Sequence, residues 1–303
     1  MPRLFNRRNT AGDDDLDALA NAHFRAVELA AMGEHQQARE LNEDTLDRRR
    51  RVLGPDHPAT LATANNLATD LRELGEFEKA RELDQDTLDR RHRVLGPDHL
   101  DTLTCAHNLA ADLRGLGRYA AAREIDQDTL DRRRRTLGDD HPSTLRSAHS
   151  LGVDLRQLGE YRLARDIDQF ALVRRRRILG DDDPETLVNA SNLAVDLRRL
   201  GEYQQARAIA TEVLDRRRRK LGEDHPSTLH SAANLAYDLR ALGEYDAARR
   251  LDEDTLARSA GCSATTTPTP STASTRSPPT CRRSARDRSG HSAPHRPGPR
   301  RRP

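Results

Sequence analysis

The sequence predicts an all-α fold, a right-handed solenoid of antiparallel helix pairs, on three observations. Near-copies of Leu-Gly-Glu-Tyr return every 42 residues, at Gly33, Gly75, Gly117, Gly159, Gly201 and Gly243. A second series, built on Leu-Gly-x-Asp-His-Pro, keeps the same step at Gly54, Gly96, Gly138, Gly180 and Gly222. Between the glycines, apolar residues recur at three- and four-residue steps, the period of a helix with one buried face. Two interleaved series without an insertion describe an array of one supersecondary unit, in which each unit buries its apolar face against its neighbours.

The elements follow in order. Residues 1–13 are polar and expected to be disordered, and the array begins at about Asp14. In the first unit Leu29, Met32, Gly33 and Ala38 keep the pattern, but Arg25 stands where the second unit has Leu67. That unit reads as a polar cap on the N-terminal end. The second unit, residues 58–99, shows the plan most plainly. Pro58 suits the first turn of a helix, and Leu61, Ala64, Leu67, Ala68, Leu71 and Leu74 form one apolar stripe before Gly75 ends it. A second helix is expected from Glu76 to Leu95, with Phe77, Ala80, Leu83, Leu88, Val94 and Leu95 on its buried side. A one-glycine turn makes the two helices antiparallel neighbours, and Ala68 and Ala80 let their backbones approach closely. The plan repeats to Arg258, giving about six helix pairs over residues 14–258.

Composition narrows the function. With 35% hydrophobic, 3% aromatic and 33% charged residues, the chain suits a thin core of Leu and Ala between stacked helices. No stretch approaches the roughly 20 apolar residues of a membrane span, and the basic start Met1–Arg8 lacks the apolar run of a signal peptide. A cytoplasmic location without a membrane partner is therefore expected. Cys105 is the only cysteine of the array, too few for a disulfide framework or a cysteine-type zinc site. Residues 259–303 hold nine arginines against one aspartate, so the overall charge of +2 leaves residues 1–258 at −6.

Leu67, Ala68, Leu71, Gly75, Phe77 and Ala80 fall on a Leu-Gly/Ala-x-x-Tyr…Gly-x-Tyr-x-x-Ala signature. Together with the 42-residue length, Asn65-Asn66-Leu67-Ala68 and Leu95-Gly96-Pro97-Asp98-His99, it makes the chain resemble tetratricopeptide-repeat (TPR) proteins, in the variety seen in kinesin light chains and in actinobacterial arrays. The resemblance implies a TPR superhelix whose first helices line a concave surface, and a non-enzymatic role in binding other proteins. It also implies an alternative, since such arrays often accompany a nucleotide-binding signalling domain. The chain would then be a regulatory module of an actinobacterial NTPase-type system acting in trans. The chain departs from the family in its second helices. Asp84 and Thr87 replace an aromatic and an alanine, and the aspartate returns at Asp126, Asp168 and Asp252, so polar pairing between units is expected there.

The face of the first helices opposite their apolar stripe offers candidate binding residues. Asn65, His107, His149 and Ser191 share one level, Thr69, Ala111, Val153, Val195 and Tyr237 the next, and Arg72, Arg114, Arg156, Arg198 and Arg240 form a ladder above them. Because the planar guanidinium grips carboxylates in two places, one reading is a groove for an extended or helical peptide carrying acidic residues. Arg72, Arg114, Arg156, Arg198, Arg240, Asn65, His107, His149 and Tyr237 would then be its contacts. The other reading is that the arginines are solvated or paired with Asp70, Asp112, Asp154, Asp196 and Asp238. Those aspartates stand two residues from the arginines, off their helix face, and are expected instead to meet the basic runs of the second helices, Arg48–Arg51 and Arg132–Arg135. The runs themselves point all round a helix and follow acids such as Asp126, Asp128 and Asp131, so they read as a solvated, salt-bridged face rather than a nucleic-acid stripe.

Catalytic patterns are missing. His57, His99, His141 and His225 occur once per unit, roughly 20 Å apart for helices packed about 10 Å from one another, too far for one metal shell. They read as turn-stabilising residues, with Asp183 in the same place in one unit. There is no P-loop, nucleophile elbow or zinc-protease motif. No enzyme activity, cofactor, metal or small-molecule substrate is expected.

After Arg258 the composition turns to Ser, Thr, Pro and Arg, the signature of a disordered tail. Moving the codon frame by one base lets residues 262–271 spell Leu-Leu-Gly-Asp-Asp-His-Pro-Asp-Thr-Leu, the turn of the repeat, in the 42-residue register. Residues 259–303 thus read as a frameshifted repeat. The alternative is a basic disordered tail that binds anionic partners, nucleic acid among them.

Overall fold

The computed structural model describes residues 15–264, with side chains to Ala260. The expectations for residues 1–13 and for most of the tail lie outside this range. Twelve helices form six pairs among the described residues: α1 (Leu16–Ala31) with α2 (His35–Val52), α3 (Pro58–Glu73) with α4 (Phe77–Leu95), α5 (Leu100–Gly115) with α6 (Tyr119–Leu137), α7 (Pro142–Gln157) with α8 (Tyr161–Leu179), α9 (Pro184–Arg199) with α10 (Tyr203–Leu221), and α11 (Pro226–Ala241) with α12 (Tyr245–Ala264). There is no strand among these residues. The last helix runs six residues past Arg258, the point where the sequence suggested that the array ends.

Local chemistry sets each boundary. His57, His99, His141 and His225 are N-caps whose Nδ1 atoms accept the amides of Ala59, Asp101, Ser143 and Ser227 at 3.1–3.2 Å. Asp183 caps α9 in the same way, from Glu185 and Thr186, so the repeated histidines are the start signals of the first helices. Each first helix ends at a glycine of positive φ, Gly75 at 78° for example. There the Gly75 amide donates to Arg72 and the Glu76 amide to Leu71, a Schellman closure that only glycine enters without strain.

Each helix packs on its neighbours in sequence, and the contacts that skip a helix join first helices, α1 to α3 and α3 to α5. First helices therefore crowd together on one side and second helices splay on the other, which makes the first-helix face the concave one. Ala68 and Ala80 are fully buried, as close approach requires. Each second helix from α2 to α10 hands one leucine to the next unit: Leu88 lies among Cys105, Ala106, Leu109 and Leu113, and Leu130 among Leu145, Ala148 and Leu151. Of the second-helix residues expected inside, Ala80 and Leu88 are buried and Phe77, Leu83 and Leu95 half-buried, but Val94 is exposed. Val94 sits in the last turn of α4, at the loop edge of the solenoid.

The basic runs differ from the expectation of a solvated face. One arginine of each, Arg49, Arg91, Arg133, Arg175 and Arg217, is buried. Arg133 donates to the carbonyls of Leu103 and Ser143 (both 3.1 Å) and to Ser147 Oγ (2.8 Å), clipping the first helices of two successive units together. Burial lowers its pKa to about 10. Arg133→Ala is expected to reduce the unfolding free energy by about 3 kcal/mol, because buried acceptors lose their donor. Arg135→Ala, exposed in the same run, should change it by less than about 0.5 kcal/mol; urea denaturation followed by circular dichroism measures both.

Candidate functional site

The ladder of Arg72, Arg114, Arg156 and Arg198 runs along the first helices as the spacing requires, but its guanidinium groups turn into the seams between units. Arg72 donates to Asp84 at 2.9 Å and to Asp112 at 2.5 Å. Arg114 holds Asp126 and Asp154 in the same way, and Arg156 holds Asp168 and Asp196. In the fifth unit Ala210 replaces the second-helix aspartate, and Arg198 holds Asp238 alone. The side chains of these four arginines are 11–17% exposed and the aspartates are wholly buried. Arg240, with no further helix pair beside it among the described residues, is 46% exposed and pairs with Asp252.

Asp112, Asp154, Asp196 and Asp238 meet the first-helix arginines of the preceding unit, not the basic runs of second helices. The two-residue offset that separates Arg and Asp on one helix is what places them opposite each other across a seam, 40 residues apart. In the first seam, where the ladder position is Ala30, Asn42 and His35 donate to Asp70 instead. The polar pairing expected at Asp84, Asp126 and Asp168 is present, with these same arginines as partners.

Two charged carboxylates buried side by side are costly to desolvate, so each of the three full seams favours keeping a proton. Burial, with the neighbouring carboxylate, holds Asp84 well above the usual range. Burial likewise raises Asp154 to about 7 and Asp196 to about 8. Asp112 Oδ2, Asp154 Oδ2 and Asp196 Oδ1 are buried with no other hydrogen-bond partner, and a proton shared between the paired carboxyls satisfies them.

The remaining candidates lie on the concave face. Asn108 donates to Asn65 at 3.0 Å, and Asn192 stands 3.5 Å from His149 Nδ1, so polar pairs link neighbouring first helices. His107 turns toward Asp126, 3.3 Å away. Burial, with Arg175 and Arg156 nearby, lowers His149 to about 4 and keeps it neutral. Tyr237 is exposed, its ring under the Arg198 guanidinium at 4.8 Å, and continues a partly open lane through Val153 and Val195. Sequence reasoning passed over Asn66, Asn108, Asn192 and Asn234, which recur beside this lane; their shared 42-residue register was the available signal.

Outside, ion pairs bridge units at fixed separations. Arg123–Glu160, Arg165–Glu202 and Arg207–Glu244 form one series. Arg90–Asp56, Arg132–Asp98, Arg216–Asp182 and Arg258–Asp224 form another. Much of the second-helix basic charge is answered within the protein. Among the described residues no three His, Cys, Asp or Glu side chains gather to hold a metal ion, and no helix is long and apolar enough to cross a membrane.

The description of the tetratricopeptide repeat family matches five overlapping stretches, residues 17–91, 61–134, 105–172, 149–219 and 187–260. This chain belongs to the tetratricopeptide-repeat family. No curated protein matches it in sequence. Among solved structures it is similar to kinesin-light-chain TPR-like repeats from Podosopora anserina, at 26% identity and TM-score 0.63, over 68% of this chain and 98% of that one. BtubC from P. vanneervenii shares the fold at 17% identity and TM-score 0.61, over 90% and 100%. So does the quorum sensor NprR of B. thuringiensis, at 15% identity and TM-score 0.62, over 80% and 65%. A TPR array is generally a protein–protein interaction scaffold.

The seam carboxyls give a pH dependence of definite sign. The folded pKa values of Asp154 and Asp196 lie above the unfolded value of about 4, so the folded state binds more protons and stability falls as pH rises. The contribution is complete below about pH 4 and lost as pH passes about 7 for Asp154 and about 8 for Asp196. Urea unfolding is expected to show a decline of up to about 1.4 kcal/mol per pH unit for each retained proton. Asp196→Asn should remove its share of that slope.

Proposed function

We propose that this TPR protein docks a segment of another protein along the concave face of its first helices. The observation that carries the reading is the lane of Val153, Val195 and Tyr237, partly open to solvent beside the asparagines at 108, 192 and 234. A carboxamide both donates and accepts, so a row of them can pair with the main chain of an extended segment while the apolar lane takes its side chains. The pairs Asn65–Asn108 and His149–Asn192 would exchange one partner for the ligand's peptide groups.

The acidic character proposed for the partner rests on fewer arginines than the ladder suggested. Arg72, Arg114, Arg156 and Arg198 are held by buried aspartates and serve first as the frame behind the groove. Arg240, three residues from Tyr237 on α11 and 46% exposed, is the cation nearest that end, and it pairs with Asp252. An acidic side chain of the bound segment would compete with Asp252 for Arg240, with an apolar neighbour on Tyr237. Arginine suits the task because its fork can grip a carboxylate while its plane stacks on an aromatic ring.

Panning the full chain against displayed random peptides tests the proposal. Selected peptides should combine an acidic residue with an apolar one, and Tyr237→Ala and Val195→Asp should each weaken them about tenfold or more. Failure to select any peptide, or equal binding by both variants, would rule the groove out. Replacing Arg114, Arg156 and Arg198 together with alanine mainly tests the fold, because it leaves buried carboxylates without their cation.

A further inference from the structure

The C-terminal edge of the solenoid is half of a seam. Leu256 is 70% exposed, although its counterparts Leu46, Leu88, Leu130, Leu172 and Leu214 are all at 8% or less. Arg240 and Asp252 are open where the same pair is buried in earlier units. With Tyr245, Arg249 and Glu253 these residues border a cavity of about 350 Å³.

The N-terminal edge carries the matching half. On α1, Asn21 and Glu28 are exposed at the positions that Asn189 and Asp196 occupy on α9. At their seam Asn189 donates to Asp168 at 2.8 Å, and Asp196 accepts from Arg156 at 3.2 Å. Asp168 and Arg156 are the counterparts, two units earlier, of Asp252 and Arg240. A second copy placed one repeat step beyond α12 would therefore bring its Asn21 to Asp252 and its Glu28 to Arg240. It would also cover Leu256.

We propose that the chain associates head to tail with further copies of itself, α1 of one seated on α11 and α12 of the next in the register of the internal seams. The contact is heterologous, so it propagates instead of closing at a dimer. Two substitutions keep it weaker than an internal seam. Arg25 stands where Leu67, Leu109, Leu151, Leu193 and Leu235 are buried, and Ser259 stands where Arg49, Arg91, Arg133, Arg175 and Arg217 clip the next unit. Reversible, concentration-dependent association follows.

Sedimentation velocity of the full chain over a wide micromolar range tests this. The mean mass should climb past that of a dimer as concentration rises. Leu256→Asp should weaken association about tenfold or more, and Arg25→Leu should strengthen it by a similar factor, from the burial of one leucine side chain. Helicity should be unchanged in both variants, since both side chains are exposed in the single chain. Three outcomes overturn the proposal: a monomer throughout, for both the parent and Arg25→Leu; a closed dimer indifferent to Leu256→Asp; or a monomer in which Leu256→Asp makes residues 259–303 more open to protease, which would mean that the chain's own tail covers the edge.

Discussion

Two aspartates held by one arginine at the centre of a seam are the interaction on which the rest of the molecule depends. With few aromatic residues, the units cannot lock together through large rings, and each second helix offers the next unit a single leucine. The Asp–Arg–Asp contacts and the buried arginine clips fill the remainder of the seam with groups that tolerate only one register. A buried charge that loses its partner is penalised by several kcal/mol. A one-residue slip would strand a guanidinium and two carboxylates at once. This accounts for a 42-residue period kept without an insertion across the three full seams.

The same constraint decides what surface is left for partners. Much of the basic charge of the second helices is bound in pairs that cross from unit to unit, and four arginines of the inner ladder are bound in the seams. What remains is the concave lane ending at Tyr237, with Arg240 beside it, and the two edges of the array. A charged chain of this kind can thus be sparing in free charge, because its ions are spent on stacking.

The retained seam protons give the solenoid a second property. Below about pH 7 each full seam favours keeping one of its two buried carboxyls protonated beside the ladder guanidinium, with a clip arginine buried on the same second helix. Keeping that carboxyl neutral lowers its desolvation penalty, and it ties the stacking of units to pH.

Helix pairs, their approximate limits, the glycine turns and the place of the His57 series in the turns were legible in the sequence, because each depends on residues within a turn or two of one another; that these histidines cap the first helices was not. The apolar stripe of α3 and the alanines at 68 and 80 were legible for the same reason. Val94 was not, since helical spacing records a face but not where the neighbouring helix stops covering it. Nor was the fate of the charges. On its own helix Asp112 is two residues from Arg114 and off its face, yet across the seam it lies on Arg72 of the preceding unit. Arg132 to Arg135 look alike in the chain, yet only Arg133 points between two first helices. By itself the sequence determined the repeat, its register and its glycine turns, all set by local backbone preference and helical periodicity. Only the tertiary structure decided which ions meet, because pairing across a seam depends on the rotation and rise from one unit to the next, a geometry that exists only once the units are stacked.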